Sequence, residues 1–367
     1  MKRITVIFIS VLVLSGCSIN PDARRIFIAH RGVNMHYEAA GENSLEAIRL
    51  ARRAGFKAIE TDVRLSSDSV LVVMHDQTLS RTCLNPDGSL VDKSFKVADF
   101  PISRLKSSFV LRTSKGDLKT QIPTLEEYLK VCREENMLVF IEPKLNDPTG
   151  KHYLDIIACA DSICGRENYI ITSNNFANSV IRDSLHINDV TLMGILYQTS
   201  YEDISSRQNI IIAVSTSRFN HDDYAANIAL AKSDGLMTES HADKFEHLDM
   251  INNADVDYVS SDFLAPDWHG QGRLLFAVSG CGYNGIRRSV RKCSESCEIV
   301  FGAIWLEMEF RGEAKVELGN QEFVVSSSDW RKIRHQVLLS EACPHFKIAE
   351  QTPDFKVRRI MVRVAEF

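Results

Sequence analysis

Between Ile26 and about Asp262, short apolar runs alternate with stretches of helical spacing, and this alternation restricts the fold more than any other feature. Strands are expected near 26–29, 58–59, 70–74, 137–141, 169–171, 191–196, 210–214, 235–237 and 258–259. Helices are expected at 44–54, 125–133, 224–231 and 242–251. Ser44 and Thr124 stand where N-caps belong, Pro123 precedes the second cap, and Gly55 closes the first helix. Strand-helix repeats over roughly 240 residues fit a (β/α)8 TIM barrel, whose usual size is about 250 residues. A doubly wound open sheet is the competing architecture. The polar stretch from Cys83 to Gln121 interrupts the rhythm; an insertion this long is a small subdomain or a functional overhang beside the active site.

Beyond Pro266 the pattern changes. Glycines punctuate 270–285, and strict alternation replaces helical spacing at 303–310, 314–318 and 357–364. The expected organisation is a barrel over 26–267 followed by a small all-β, sandwich-like domain over 268–367. With 44% hydrophobic and 25% charged residues, the chain has the composition of a globular protein. A net charge of −5 without a long basic run speaks against nucleic-acid binding.

The N-terminus reads as a targeting segment. Lys2-Arg3 precede an apolar run over 4–14 that is too short for a comfortable permanent span, followed by Ser15-Gly16-Cys17. Leu14-Ser15-Gly16-Cys17 resembles a bacterial lipobox, which implies cleavage before Cys17 and lipidation of its thiol; ordinary cleavage leaving a free Cys17 is the alternative. Residues 1–17 are then a lipoprotein signal segment and 18–25 a tether. The expectation is an exported protein, lipid-anchored on the periplasmic or cell-surface side of a bacterial membrane. Export permits disulfides among the other eight cysteines; a Cys159/Cys164 bridge closing a small loop is one candidate, and buried free thiols are the other reading. No Cys-x-x-Cys pair occurs, which disfavours zinc.

The chemistry-bearing residues gather at strand ends. Glu60 and Asp62 are two apart, so both side chains share one face of a strand. At the C-terminal mouth of a barrel that face looks into the active site. Two adjacent carboxylates suit a hard cation such as Ca2+ or Mg2+; a pair of solvated strand-end acids is the plainer alternative. Glu142 closes another apolar run and qualifies as a third ligand, with Lys144 on the same face for a phosphate. His30 and His75 also follow apolar runs, and two imidazoles fit the acid and the base of phosphodiester cleavage. Asp76 is placed to orient His75, and Arg31 to grip phosphate. Gly32 permits a tight turn or a close approach of substrate. Glu42 and Asn43 precede a helix, where Asn43 either caps it or helps hold Arg31 or the ion.

In order along the chain stand His30-Arg31-Gly32, Glu42-Asn43-Ser44-x-x-Ala47, Ala54-Gly55, Ile59-Glu60-Thr61-Asp62-Val63, His75-Asp76, Leu79-x-Arg81-Thr82, Ile122-Pro123-Thr124-Leu125-Glu126-Glu127 and Glu142-x-Lys144. Together they resemble the glycerophosphodiester phosphodiesterase family, closely over about 26–145, more weakly to 265, and not at all beyond about 267. The resemblance implies a (β/α)8 barrel, one divalent cation on Glu60, Asp62 and Glu142, acid–base work by His30 and His75, and phosphate contacts from Arg31 and Lys144. It also implies hydrolysis of a small glycerophosphodiester to glycerol 3-phosphate and an alcohol. Two departures stand out. Leu236-Met237-Thr238-Glu239 lies near where the family carries a Trp-Thr-Val-Asn-like segment, which bears on recognition of the alcohol or glycerol. Ser67-Asp68-Ser69 replaces the commoner Asp-Gly turn. Competing functions are a phospholipase D-like phosphotransfer on lipid or lysolipid, and a non-catalytic surface protein whose C-terminal domain contacts glycan.

Overall fold

The computed structural model describes residues 25–33, 40–113, 120–147, 149–173, 183–184, 186–242, 244, 247–266, 273–279, 302–319, 321–339 and 345–366. Cys17, the signal segment, most of the tether and Cys281, Cys293, Cys297 and Cys343 lie outside the described residues.

The first part of the chain runs β1 (Ile26–Ala29), α1 (Leu45–Arg53), β2 (Ala58–Leu65), β3 (Leu71–Val73), β4 (Cys83–Leu84), α2 (Ile102–Ser108), β5 (Val110–Leu111), α3 (Leu125–Glu134), β6 (Leu138–Pro143) and α4 (Lys151–Ile163). Then come β7 (Tyr169–Ser173), β8 (Leu192–Ile195), β9 (Ile210–Ala213), β10 (Met237–Ala242) and β11 (Tyr258–Ser261). Parallel pairing follows the order β1-β11-β10-β9-β8-β7-β6-β2, and β1 also pairs with β2. The ring therefore closes into an eight-stranded barrel, and the open-sheet alternative is excluded. Barrel strands are buried on both faces, so their sequences read as short continuous apolar runs. An inner layer of Ile28, Ala58, Phe140, Ile170, Met193, Ile211 and Tyr258 fills the interior.

Helix boundaries follow their caps. The Ser44 hydroxyl accepts from the Ala47 amide at 3.1 Å, and Thr124 forms a capping box with Glu127. Two expected strands are corrected. The run at 70–74 is not a barrel strand: β3 pairs antiparallel with β2 as a hairpin. The strand expected at 235–237 starts later, at Met237, because Gly235 takes φ 75° and terminates the preceding helix His221–Ser233.

The insertion is a small subdomain. β4 pairs with β5, and Met74, Leu79, Val97, Phe100, Leu105 and Phe109 build a separate apolar core there. The four described cysteines, Cys83, Cys132, Cys159 and Cys164, are all free thiols. The Cys159/Cys164 bridge does not form. Five helical positions separate the two Cα atoms by about 7.5 Å along the axis, beyond what a disulfide spans.

The C-terminal region is all β, with β12 (Arg273–Ser279), β13 (Gly302–Leu318), β14 (Gln321–Leu339), β15 (Phe346–Gln351) and β16 (Lys356–Glu366). They pair as a five-stranded antiparallel sheet in the order β12-β16-β13-β14, with β15 beside the distal half of β13. Leu338 donates its amide to the Phe263 carbonyl at 3.0 Å, and Arg331 reaches Asp249 at 3.4 Å. The apolar core is continuous from barrel to sheet.

Gly32 shows how local backbone sets the site. It adopts φ 79°, and a Cβ there would meet the Ala47 Cβ at 2.7 Å. The constraint is a tight turn packed on α1, not an approach of substrate. Gly32→Ala is expected to cost roughly 2 kcal/mol or more, from the left-handed backbone plus the overlap. Urea unfolding measures this cost, and an unchanged midpoint would contradict it.

Candidate active site

All three predicted ligand carboxylates reach the C-terminal mouth of the barrel. Glu60 and Asp62 lie within β2, which runs on to Leu65 and so is longer than its apolar start suggests. Asp62 pairs in register with Glu142 on β6. Glu60, Asp62 and Glu142 are buried, and each offers an oxygen within 4.8 Å of the others. Burial, and then the neighbouring Asp62 charge, raise Glu60 well above the usual carboxylate range and raise Glu142 as well. Glu60 Oε1 and Asp62 Oδ1 are buried with no hydrogen-bond partner among the described residues. Buried carboxylate oxygens without donors are costly unless a cation satisfies them, so this donor set fits a hard divalent ion. Lys144 supplies positive charge beside it, pairing with Glu142 and standing 3.6 Å from Asp62 Oδ1.

Arg31 and Asn43 both hold left-handed backbone, φ 57° and 59°, where non-glycine residues are uncommon. Their loops are tied together by the Asn43 amide donating to the Arg31 carbonyl at 2.9 Å. Asn43 is not the helix cap, since Ser44 takes that place. Its Nδ2 donates to Asp62 Oδ2 at 3.0 Å, and its Oδ1 accepts from Thr61 at 2.9 Å. The Arg31 amide donates to Glu60 at 3.1 Å, and its guanidinium lies 3.5 Å from Asp62 and 3.7 Å from Glu42.

Each histidine is held by its own aspartate. His75 Nδ1 meets Asp76 at 2.6 Å. Arg81 grips Asp76 with Nε and Nη2 and Glu42 with both terminal nitrogens, so Glu42, Arg81, Asp76 and His75 form one chain. Arg81 hydrogen bonding, opposed by burial, sets Asp76 at about 2. Burial lowers His75 below the ordinary imidazole range, and its aspartates offset this only in part. His30 Nδ1 meets Asp262 at 2.8 Å, with its Nε2 3.8 Å from Glu60. Burial pulls His30 down, but Asp262 and then Glu60 outweigh it and hold the imidazole at about 9. His30, His241 and Asp262 bring donor atoms within 4.8 Å of one another, through the His30–Asp262 bond and the edge-on packing of His241 against His30.

A folded pKa of about 9 against an unfolded value near 6.5 means His30 stabilises the metal-free fold below pH 6.5. That contribution, roughly 3 kcal/mol, is lost as pH rises through 9. Asp262→Asn should flatten this part of the stability profile. Thermal melts of wild type and variant in EDTA check it, and parallel profiles from pH 6.5 to 9 would contradict it.

Sequence reasoning missed four residues. Arg64 donates to the His75 carbonyl through Nε and Nη2 and to the Lys144 carbonyl through Nη1, strapping two functional loops to β2. Asp262 follows the last barrel strand, but Ser260 and Ser261 separate it from Tyr258-Val259, so no apolar run points directly to it. Glu239 and His241 lie on β10 and line the same cavity as His30, Glu60 and Glu142. Their i, i+2 spacing repeats that of Glu60 and Asp62, but no apolar run marks the strand.

The sequence profile of the glycerophosphoryl diester phosphodiesterase family matches residues 30–249. The chain belongs to that family. Mouse glycerophosphodiester phosphodiesterase 1 is 34% identical over 126 residues, which are 34% of this chain and 36% of the mouse protein. A Caldanaerobacter subterraneus glycerophosphodiester phosphodiesterase is 33% identical over 122 residues, 33% of this chain and 46% of that protein. The chain thus spans little more than a third of the length of the mouse relative it matches. An Oleispira antarctica phosphodiesterase, solved with the product sn-glycerol-3-phosphate, superposes with a TM-score of 0.54 at 23% identity, over 65% of this chain and 94% of that one. That likeness bears on the barrel fold.

Proposed function

We propose that this family member hydrolyses glycerophosphodiesters to glycerol 3-phosphate and an alcohol, using one divalent cation, Ca2+ or Mg2+. The observation that carries this reading is a buried three-carboxylate cluster flanked by two histidines, each oriented by its own aspartate. Glu60, Asp62 and Glu142 would hold the ion. When bound, the cation offsets the charge of the phosphate and polarises it. Arg31 and Lys144 supply fixed positive charge for the phosphate oxygens. Their opposite electrostatic settings divide the work of the imidazoles. His75, favoured as the neutral base, takes a proton from the attacking water as the oxygen of that water forms the new bond to phosphorus. His30, favoured as the imidazolium, returns a proton to the departing alkoxide oxygen as the phosphorus–oxygen bond breaks. Asp76 and Asp262 fix the tautomers through the Nδ1 atoms, which leaves Nε2 for the transfer. Glu42 and Asn43 support this arrangement through Arg81 and Asp62.

The lipobox-like Leu14-Ser15-Gly16-Cys17 supports placing this chemistry on an exported protein held at a bacterial membrane by lipid on Cys17. Fatty-acid labelling that disappears in Cys17→Ser tests the anchor. For the reaction, the chain from Ser18 onward is incubated with glycerophosphocholine, glycerophosphoethanolamine or glycerophosphoinositol and with Ca2+, Mg2+ or EDTA. Metal-dependent release of glycerol 3-phosphate is the expected result. No release from any diester with either ion would overturn the reading.

A further inference from the structure

The two faces of the C-terminal sheet differ in chemistry. On one, Phe310, Ile333 and His335 line a cleft with Leu248 of the helix Leu248–Asn252, so this face packs toward the barrel. The residues that alternate with them form the other face. Strand pairing sets Arg363 and Gln336 beside Trp305, Arg334 beside Glu307, and Arg359 and Lys332 beside Glu309. A bulge in β16 leaves Arg358 without a cross-strand position, and its guanidinium pairs with Glu309 and lies 4.6 Å from the centre of the Trp330 ring. Arg311 meets the same ring at 5.5 Å. Glu307 is buried and holds Lys332 at 3.0 Å, Arg334 at 3.1 Å and Arg359 at 3.6 Å, so one sunken carboxylate gathers three cations. Lys332, Arg358 and Arg359 stay 47%, 51% and 53% exposed, and Trp330 38%. Positive charge is therefore in excess on this face, with Glu307, Glu309 and, near Arg311 in the turn before β16, Asp354 as the opposing acids.

The sequence carries the same asymmetry. Residues 268–367 hold 15 Lys and Arg against 12 Asp and Glu, whereas residues 18–267 hold 26 against 36. An anionic surface therefore repels the barrel and attracts the C-terminal region. The tether enters beside this face: Arg25 lines a cleft with Trp305 and Arg334. Eight residues, 18–25, reach at most about 28 Å when extended. We propose that the outer face of the C-terminal sheet docks on an anionic phospholipid bilayer. Its guanidinium groups present paired donors to headgroup phosphates, and the half-exposed Trp330 ring suits the headgroup layer. A sugar is the poorer match, because guanidinium groups from both flanking strands, Arg334 at 5.9 Å and Arg363 at 5.3 Å, already attend the Trp305 ring. Docking through this face uses neither the three carboxylates nor the histidines, and lipid on Cys17 would hold the bilayer within its reach.

The test floats the chain from Ser18 onward with vesicles of phosphatidylcholine alone and of equimolar phosphatidylcholine and phosphatidylglycerol, in EDTA so that the metal-dependent site does not contribute. The chain should bind the mixed vesicles and not the neutral ones, and binding should weaken as salt is raised. Lys332→Gln/Arg359→Gln should weaken binding roughly 25-fold, about fivefold for each cation. Lys130→Gln/Lys151→Gln makes the same charge change on exposed positions of α3 and α4 and should leave binding unaltered. Thermal unfolding confirms that each variant folds. If removing two partners of Glu307 unfolds the sheet, Trp330→Ala takes the place of that variant and should also weaken binding. No binding to the mixed vesicles, equal binding to the neutral ones, or undiminished binding in the sheet variant overturns the docking face. Retention on heparin without vesicle binding overturns it as well and assigns the face to a soluble polyanion. Turnover of a soluble glycerophosphodiester with metal, measured alongside, shows that the phosphodiesterase reading survives any of these results.

Discussion

His30→Ala and His75→Ala are each expected to lower kcat for a glycerophosphodiester by about 10²–10⁴-fold, the usual contribution of a positioned acid or base. Both side chains are partly exposed rather than core residues, and His30 lines the cavity, so truncation should leave the barrel folded. The two residues act in one proton-transfer sequence, so the double variant should be little worse than the weaker single. The roles separate by leaving group. A 4-nitrophenolate departs without a proton, so a 4-nitrophenyl diester should largely rescue His30→Ala. His75→Ala should stay slow, because activation of the nucleophile is still missing. Steady-state rates on both substrates decide the matter: equal rescue would reverse or remove the division of roles, and full activity in both variants would end it.

What could be read in advance divides by physical range. Glu60 and Asp62, Glu142, His30 and His75 were legible because each follows an apolar run, and a run buried in a barrel announces where a strand delivers its next side chains. Ser44 and Thr124 were legible because a cap acts over three residues. Interactions across large separations left no trace. Arg64 serves Lys144 across 80 positions, and Asp262 serves His30 across 232. Asn43 was ambiguous because the true cap stands beside it. β10 was displaced because Thr238 to His241 are all polar: Glu239 and His241 face the cavity, while Thr238 and Ser240 bond Asp257 and Tyr224 on the other face, so the strand has no apolar signature. The hairpin strand β3 failed for the opposite reason: a short apolar run has the same appearance in parallel and antiparallel pairing.

Glu60→Gln should stabilise the metal-free protein while disabling it. Three carboxylates within 4.8 Å of one another and out of water repel, and burial raises the Glu60 pKa well above the ordinary range. A carboxyl raised in this way favours the folded state at low pH, and its penalty grows as pH rises through the folded value. Glutamine keeps the shape and the oxygen that accepts from the Arg31 amide but removes one charge, so the penalty at neutral pH disappears. The EDTA-treated variant should melt a few degrees higher than wild type, the scale of about 1 kcal/mol in a domain of this size. Ca2+ or Mg2+ should raise the melting temperature of wild type far more than that of the variant, because binding to the native state stabilises it by mass action. Ion affinity should fall by more than the ~10–100-fold that loss of a supporting partner costs. Opposite signs with and without the ion are the discriminating result. If the acids were an ordinary ion-paired cluster served by Arg31 and Lys144, removing one would destabilise the protein under both conditions, and the metal would make no difference.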